Sequence, residues 1–242
     1  MGLAPFPPEL AILAAVPAAY AFMSALEGAG PGPRWPDQPG FRLKGFVGFW
    51  MIAAVNGAAA RLWPGRLGPG LVDGQALGVV AGTAAAYAAF SLANAALHLA
   101  YHRSDLLWRW VHRAHHAPVR LGVGGVMIQT PLEAAGDALC FLAVARPLFG
   151  LSPLQTALLA ATASLYGLFQ HWDVPTPRWL GPFIQRPEAH SLHHRGGRHD
   201  RNYSDLPVWD MLWGTYESPE SFDPGPLGFA PDEAPGREAR LR

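Results

Sequence analysis

Long uncharged stretches alternate with short polar loops along the first two thirds of the chain. Residues 8–26 and 45–63 are apolar and alanine-rich, and residues 76–97 contain no charged residue. A second uncharged run covers residues 151–170, while residues 132–150 form a weaker apolar segment that two acids and one arginine interrupt. A helix of about 20 apolar residues spans the hydrocarbon core of a bilayer. The pattern therefore predicts an all-α, integral membrane helical bundle.

The composition favours the membrane over the alternative, in which these segments are buried helices of a soluble protein. Half of the 242 residues are hydrophobic and 15% are charged, whereas soluble domains carry about 25% charged residues. The formal net charge is zero, so no polyanionic partner such as nucleic acid is indicated. The single cysteine, Cys140, excludes an intrachain disulfide.

Three regions follow from the pattern. Residues 1–75 are predicted to form N-terminal membrane helices and loops, and residues 76–217 to form a domain that carries every histidine. Residues 218–242 are rich in proline and charge without an apolar period, which predicts a flexible polar tail. Within the second region, prolines and a glycine at 147–153 predict a sharp hairpin, whose first arm, 132–150, enters the membrane without necessarily spanning it.

All ten histidines lie between His98 and His199, and nine of them form four groups. The groups are an H-x-x-x-H, an H-x-x-H-H, a single histidine at the end of an apolar helix, and a second H-x-x-H-H. Residues three and four apart share one face of a helix, so each motif directs its imidazoles the same way. The nine histidines are His98, His102, His112, His115, His116, His171, His190, His193 and His194.

Several neutral imidazoles that converge on one point are what a metal ion needs. A single H-x-x-x-H is often a surface pair, and a lone histidine at a helix end is more often a cap. Two copies of H-x-x-H-H beside these weaker groups nevertheless predict a metal site, and nine donors exceed the needs of one ion. Structural zinc usually takes four ligands, often cysteines. Two adjacent ions with open positions favour oxygen activation by iron, although imidazole also suits zinc.

The order of the segments predicts that the histidines gather on one membrane face. If residues 76–97 cross the bilayer, His98 and His102 leave at the far end, and the hairpin 132–170 returns His171 to that side. Four arginines make this face the more basic one, namely Arg103, Arg109, Arg113 and Arg120. The positive-inside rule then predicts a histidine-rich di-metal cap and a C-terminus in the cytoplasm, with the N-terminus outside.

The order of the four histidine groups resembles that of the fatty acid hydroxylase/sterol desaturase superfamily. The segment LWRWVHRAHHAP at 107–118 resembles the family's sequence around its first H-x-x-H-H. The segments QRPEAHSLHH at 185–194 and RNYSDLPVWDMLWGTY at 201–216 resemble its C-terminal signature. The resemblance covers about residues 76–217, and it is specific for the superfamily but not for a substrate.

This resemblance implies a membrane oxidoreductase with two iron ions that uses molecular oxygen to hydroxylate or desaturate a lipid. The lipid would be a sterol, a fatty acyl chain or a related isoprenoid, and both reactions use the same ligands. The nine histidines match ligand positions. The family often has another histidine soon after the His-Arg pair, but His102-Arg103 is followed by Ser104, Asp105 and Leu106, so His98 would replace it. No dinucleotide fingerprint, haem or Fe–S domain is recognisable, so a separate reductase or carrier is expected to supply electrons.

Two other functions stay open at this point. A histidine-rich membrane metal-binding or transport protein would place ionisable ligands inside its spanning segments, whereas these histidines lie at the ends and outside. A hydrolase with zinc-activated water would need fewer ligands and a general base.

Other residues near the histidine groups are expected to play smaller parts. His199 is predicted to be peripheral, and Asn202 to be either an extra ligand or a hydrogen-bond partner. Metal-bound imidazoles usually donate their second N–H to a carboxylate or carbonyl. Six acids lie close in sequence, although each taken singly is expected to be solvated: Asp105, Asp173, Glu188, Asp200, Asp205 and Asp210. Six tryptophans are expected to anchor the chain at the membrane interface: Trp108, Trp110, Trp172, Trp179, Trp209 and Trp213.

Overall fold

The computed structural model describes residues 7–29, 35–63, 70–223 and 225–229, and these ranges contain helices and no β-strand. The three long helices are α1 (Pro8–Ala29), α2 (Phe41–Leu62) and α3 (Val79–Arg103). Shorter helices and turns follow: α4 (Asp105–Leu107), a π-helical turn (Trp108–His112), a 3-10 turn (Val123–Met127), α5 (Pro131–Ala143), a second π-helical turn (Val144–Leu148), α6 (Pro153–Gln170), a 3-10 turn (Arg178–Leu180), α7 (Pro187–His193) and α8 (Pro207–Trp213).

Three helices within the described ranges are long and apolar enough to cross a membrane: Pro8–Gly28, Phe41–Leu62 and Val79–Arg103. Large apolar side chains of the first two point away from the protein, since Phe22, Leu43 and Trp50 are all at least 60% exposed. A soluble protein would bury such side chains, so the alternative of buried soluble helices is wrong. The protein is an all-α, integral membrane helical bundle, as predicted.

The hairpin between α5 and α6 forms where the sequence predicts it. The Thr130 side chain caps α5 by accepting from the Glu133 N–H at 3.1 Å, and Ser152 and Gln155 form a reciprocal capping box at the start of α6. Pro131 follows Thr130 and Pro153 follows Ser152. Each proline occupies the first position of its helix, where a backbone N–H would have no partner within the helix. Gly150 turns the chain between the helices with a left-handed φ of 54°.

The tip of this hairpin lies level with the beginning of α3. The Gly74 N–H donates to the Phe149 carbonyl at 2.8 Å, and the Gln155 side-chain amide donates to the carbonyls of Gly74 and Gly78 at 2.7 and 3.0 Å. Gly78 immediately precedes α3. The hairpin therefore extends as far along the bundle as α3 does, although neither of its arms is among the three candidate spans.

The opposite end of the bundle gathers the histidine-bearing segments. Near the end of α1, the Glu27 carboxylate accepts from the N–H groups of Val123 and Asp173 at 2.6 and 3.1 Å. Asp173 follows His171 by two residues, so α6 ends beside α1. All the histidines lie at this end, in agreement with the sequence prediction. The side of the membrane that this end faces stays a prediction.

The main hydrophobic core lies between α3, the hairpin and α6. Its buried members are Ala86, Tyr87, Phe90, Val144, Ala145, Phe149, Leu151 and Leu159. A smaller cluster of Val123, Met127 and Leu168 packs against side chains of α1 and α2, which holds the 3-10 turn in place.

Two glycines let α2 approach this 3-10 turn closely. A Cβ on Gly45 would lie 2.8 Å from the Gly124 carbonyl oxygen, and one on Gly48 would overlap the Met127 carbonyl oxygen. Gly125 of the same turn faces the His171 ring, since its own Cβ would lie 3.4 Å from that ring's Cδ2 atom. The helix α2 thus supports the turn that covers one side of the histidine cluster.

Substituting Gly48 by alanine is expected to destabilise the protein by about 1–3 kcal/mol, because the backbone of Met127 must move to admit the methyl group. Gly57 lies on the same helix, and a methyl group added there would have no atom within 4 Å, so Gly57→Ala is the matched control and should be neutral or stabilising. Thermal unfolding in detergent would show a lower midpoint for Gly48→Ala alone. Equal midpoints for both variants would contradict the close approach of α2.

The described residues after 218, where the sequence predicts a flexible tail, contact the second H-x-x-H-H. The Gly196 N–H donates to the Pro226 carbonyl at 3.0 Å, and the Gly228 N–H donates to the His194 carbonyl at 3.1 Å. Leu227 is buried and Asp223 pairs with Arg195. These backbone bonds tie the segment to the second H-x-x-H-H, which a polarity pattern could not indicate. The rest of the predicted tail, from 230 onward, lies outside the described residues.

Candidate metal centre

Three kinds of local structure deliver the nine imidazoles. His98 and His102 lie four residues apart in the last turns of α3, and His171 follows α6 as its C-cap. The π-helical turn Trp108–His112 leads into the first H-x-x-H-H, and single π-helical turns are frequent at functional sites. The second H-x-x-H-H occupies α7 and its C-cap, His194.

The first nitrogen group contains five histidines, each of which offers one ring nitrogen within 4.8 Å of all the others: His98, His102, His112, His116 and His193. The Nε2 atom of His112 lies 3.0 Å from the Nε2 atoms of both His98 and His116. The Nε2 atoms of His102 and His98 are 3.3 Å apart. Five imidazoles from three parts of the chain therefore converge on one point.

The second nitrogen group contains four buried histidines, and its ring nitrogens also lie within 4.8 Å of one another: His115, His171, His190 and His194. The Nε2 atom of His171 is 3.3 Å from that of His115 and 3.2 Å from that of His190. The Nε2 atoms of His190 and His194 are 3.1 Å apart. The structure thus brings together all nine histidines that the sequence singled out.

Each H-x-x-H-H motif contributes histidines to both nitrogen groups. In the first motif, His112 and His116 contribute to the first group, while His115 contributes to the second. In the second motif the division is reversed, because His193 joins the first group while His190 and His194 join the second. Neighbouring residues in the chain therefore serve different groups, as expected if each motif contributes to two ions.

The spacing of these nitrogens fits metal ions better than hydrogen bonds between rings. A neutral imidazole nitrogen has either one proton or one lone pair, yet His112 Nε2 and His190 Nε2 each have two nitrogen neighbours within 3.2 Å. Two ligands at about 2.1 Å from one ion lie ~3.0 Å apart in octahedral and ~3.4 Å apart in tetrahedral geometry. The observed distances between neighbouring nitrogens fall in this range.

The outer nitrogens of several rings are fixed by backbone carbonyls. His98 Nδ1 donates to the Tyr203 carbonyl and His193 Nδ1 donates to the Arg201 carbonyl, both at 2.8 Å. His171 Nδ1 donates to the Gly167 carbonyl at 3.0 Å. A carbonyl can only accept, so each of these rings carries its proton on Nδ1 and turns the Nε2 lone pair toward the nitrogen group.

Glu133 is the partner that the sequence analysis missed. Its Oε1 accepts from His112 Nδ1 at 2.8 Å, and its side chain is buried near the start of α5. A carboxylate that accepts a hydrogen bond from a metal-binding imidazole orients the ring and makes its other nitrogen a stronger electron-pair donor to the metal. In the sequence Glu133 merely interrupts an apolar segment, 21 residues from His112, so only the fold reveals the contact.

Burial prepares the imidazoles outside α3 for metal binding. Loss of water, followed by the neighbouring imidazoles, holds the pKa of six rings well below the usual value: His112, His115, His116, His190, His193 and His194. Burial also lowers the pKa of His171 to about 4. At neutral pH these rings are uncharged, which is the form that binds a metal ion.

Trp108 and His199 pack against the first nitrogen group. The Trp108 ring centroid lies 5.0 Å from that of His102 and 5.1 Å from that of His116, so Trp108 forms one wall of the centre. The buried His199 ring lies 4.6 Å from that of His116, and its Nδ1 donates to the His193 carbonyl at 3.0 Å. His199 belongs to neither nitrogen group.

The segment after α7 is held by two buried polar residues. The Asn202 amide donates to the carbonyls of Ala189 and Glu217, both at 2.8 Å, so Asn202 is a hydrogen-bond partner. Asp210 accepts from the Tyr203 N–H at 2.9 Å, which positions the Tyr203 carbonyl against His98.

The expectation of solvated acids is wrong for three of the six, since Asp173, Glu188 and Asp210 are buried. Glu188 pairs with the buried Arg186 and accepts from the Thr176 N–H and hydroxyl, and Asp173 accepts from the Trp35 indole N–H at 2.8 Å. Trp35 lies 138 residues from Asp173, beyond the reach of a local sequence pattern. The hydrogen bonds and ion pairs described for Asp173, Glu188, Asp200, Asp205 and Asp210 go to groups other than the nine imidazoles.

The comparison with known families agrees with this geometry. The family model described as "Fatty acid hydroxylase" matches residues 83–215, which is more than half of the 242-residue chain and includes all nine histidines. No curated protein and no solved structure matches the chain. The matched segment begins within α3 and ends just after α8, so it holds both nitrogen groups and the loops that orient them. The chain belongs to the fatty acid hydroxylase family, within the sterol desaturase/fatty acid hydroxylase superfamily.

Proposed function

We propose that this protein is a membrane-bound, oxygen-dependent di-iron oxidoreductase that hydroxylates or desaturates a lipid. The observation that carries the proposal is the pair of interlocked nitrogen groups at one end of an apolar helical bundle. Membership of the fatty acid hydroxylase family supports the reaction class. A sterol, a fatty acyl chain or a related isoprenoid lipid would be the substrate.

The residues present fit two metal ions. The first nitrogen group would hold one ion with five imidazoles, and the second would hold the other with four. Two bound iron ions would supply the redox chemistry that allows molecular oxygen to react with an unactivated C–H bond. Zinc suits the same donors but has no redox chemistry, so it would occupy the site without supporting the reaction.

The side chains around the nitrogen groups hold the donors in one arrangement. The carbonyls of Tyr203, Arg201 and Gly167 and the Glu133 carboxylate fix the ring tautomers, so little reorganisation is needed when a metal binds. Trp108 covers the rings of His102 and His116 in the first group. Electrons would come from a separate reductase or carrier on the basic face of the protein.

The purified protein is expected to bind two metal ions per chain, and His193→Ala should reduce that content. His193 lies in the first group, and its neighbour His194 lies in the second, so occupancy of both ions should suffer. Elemental analysis measures the stoichiometry, with the exposed Glu220→Gln as a control that keeps its metal. Unchanged metal content in His193→Ala would contradict the proposed site.

Oxygen uptake and lipid profiling separate the proposal from the rival function. A di-iron hydroxylase or desaturase should consume oxygen only when a reductant and a lipid are both present. Cells with the gene should contain an oxidised lipid that cells without the gene lack. A histidine-rich metal-binding or transport protein would hold metal but show neither effect. Mass spectrometry of that lipid would also distinguish an added hydroxyl group from a new double bond.

The C-terminus and the metal centre are expected to lie in the cytoplasm. Arg103, Arg109 and Arg113 flank the end of α3 from which the histidines emerge, and positive charge is retained on the cytoplasmic side. A reporter fused after Arg242 should therefore be active only as a cytoplasmic protein. Activity of a reporter that requires export would reverse the proposed orientation.

A further inference from the structure

The segment 202–215 forms a closed loop that runs down the side of α3 and returns. At its neck, the Asn202 N–H donates to the Thr215 carbonyl at 3.1 Å. The first arm begins at the level of the metal centre, because the Tyr203 carbonyl accepts from His98. The second arm is α8, whose C-cap Gly214 has a left-handed φ of 73°.

Contacts with α3 show how far the loop descends. The Leu206 N–H donates to the Ser91 hydroxyl at 3.3 Å, and the Tyr87 hydroxyl donates to the Asp205 carboxylate at 3.2 Å. At 1.5 Å per residue, Ser91 lies about 10 Å and Tyr87 about 16 Å along α3 from His98, away from the histidine end. The turn of the loop therefore lies beside the middle of a helix that is long and apolar enough to span the membrane.

The carboxylates of the loop turn inward and have partners, whereas the buried Trp209 indole N–H has none. Asp210, the only charged residue among 206–216, is fully buried and accepts from the N–H groups of Tyr203 and Ser204 and from the Thr215 hydroxyl. The Asp205 carboxylate also accepts from the Gln170 amide at 2.6 Å. Backbone that is not part of a spanning helix can lie at membrane depth only when its polar groups are satisfied in this way.

The outward face of α8 is entirely apolar. Val208, Met211, Leu212 and Trp213 are 44%, 42%, 71% and 37% exposed. Leu92, which follows Ser91 on α3, is also exposed, so this face continues the apolar surface of the candidate span. In water this exposed apolar face would be unfavourable. In the hydrocarbon layer it would be surrounded by acyl chains and would need no protein to cover it.

We propose that α8 is inserted into the hydrocarbon layer beside α3 and that its outward face contacts the acyl chains of membrane lipids. The contacts with Ser91 and Tyr87 on α3 set the depth, and the carboxylates of Asp205 and Asp210 both turn toward protein partners. The loop is thus a re-entrant element of the membrane domain, even though it follows the last metal-binding motif in the chain. The proposal rests on α3 crossing the bilayer, and it does not depend on the reaction that the centre performs.

Spin labels report this placement directly in the full-length protein. In a Cys140→Ser background reconstituted into phosphatidylcholine nanodiscs, one label is attached at Val208 or Leu212 on α8. Leu92 on α3 is the lipid-exposed reference, and Glu220, whose side chain is 80% exposed, is the aqueous reference. Power saturation compares collisions with oxygen, which concentrates in the hydrocarbon, and with a water-soluble nickel chelate.

The label at Val208 should collide preferentially with oxygen, like that at Leu92, and Leu212 should show the same preference to a lesser degree because it is nearer the neck. The Glu220 label should prefer the nickel chelate.

Nickel accessibility at Val208 equal to that at Glu220 would overturn the proposal. Shielding of Val208 from both reagents would also overturn it, since protein, such as a second copy of the chain, would then cover the face. Samples are compared only when their metal content equals that of the parent, so loss of the fold is recognised separately.

Discussion

Substituting His116 or His194 by glutamine should leave almost no oxygen-dependent lipid oxidation when variants are compared at equal protein level in membranes. The two rings belong to different nitrogen groups, and their Nε2 atoms lie 3.0 Å from that of His112 and 3.1 Å from that of His190, respectively. Glutamine offers an amide in place of the imidazole lone pair. The loss is expected because the bound metal would supply the proposed reaction, and a centre without one of its histidines would no longer hold the metal correctly.

The matched control for these variants is His199→Gln. His199 is equally buried and packs against the rings of His102 and His116, but it lies outside both nitrogen groups, and glutamine can still donate to the His193 carbonyl. Substantial activity and two metal ions should remain. If His199→Gln were folded and as inactive as His194→Gln, His199 would be a ligand, and the assignment of His98, which departs from the family pattern, would need to be revised first.

Glu133→Ala is expected to reduce metal affinity or activity by about 10–100-fold, the usual effect of removing a partner behind a metal-binding imidazole. The variant leaves the His112 Nδ1–H buried without its acceptor. Glu133→Gln should lose less, because the amide oxygen can still accept that hydrogen bond while the negative charge is gone. The backbone of residue 133 keeps its cap from Thr130 in both variants.

A chelator titration separates this role from a general loss of stability. Both Glu133 variants should release metal at lower chelator concentration than the parent, in the order alanine before glutamine. Leu132→Ala changes an exposed side chain on the same turn of α5 and should not alter metal release. Release from Glu133→Ala at the parent's chelator concentration, with the protein folded, would show that the carboxylate does not support the centre.

The sequence allowed the histidine groups to be predicted because their spacing is local. Imidazoles three and four residues apart lie on one face of a helix, so His98 with His102, and His190 with His193 and His194, could be grouped without a fold. The hairpin before His171 could also be predicted from the sequence, because prolines and glycines mark the ends of helices. The departure at His98 also finds its explanation, since the position four residues before His102 places its ring in the same nitrogen group.

The supporting contacts could not be predicted because they join distant parts of the chain. Glu133 reaches His112 from another helix, and Tyr203 reaches His98 over 105 residues through a backbone carbonyl that has no sequence signature. Trp108 resembles any tryptophan at a membrane interface until its ring is seen against His102 and His116. The contacts of residues 226 and 228 with the backbone of Gly196 and His194 were beyond a sequence pattern for the same reason.

Because each H-x-x-H-H is divided between the two nitrogen groups, the backbone connects the two groups directly. One peptide bond joins His115 to His116, and another joins His193 to His194, and consecutive Cα atoms across a trans peptide are always about 3.8 Å apart. The two nitrogen groups are thus joined at two places by a single peptide bond. A displacement of α7 would therefore reach both groups at once, because the histidines of α7 and its C-cap His194 belong to both. Inserting a single residue between either pair of histidines would break this link, even with every ligand still present.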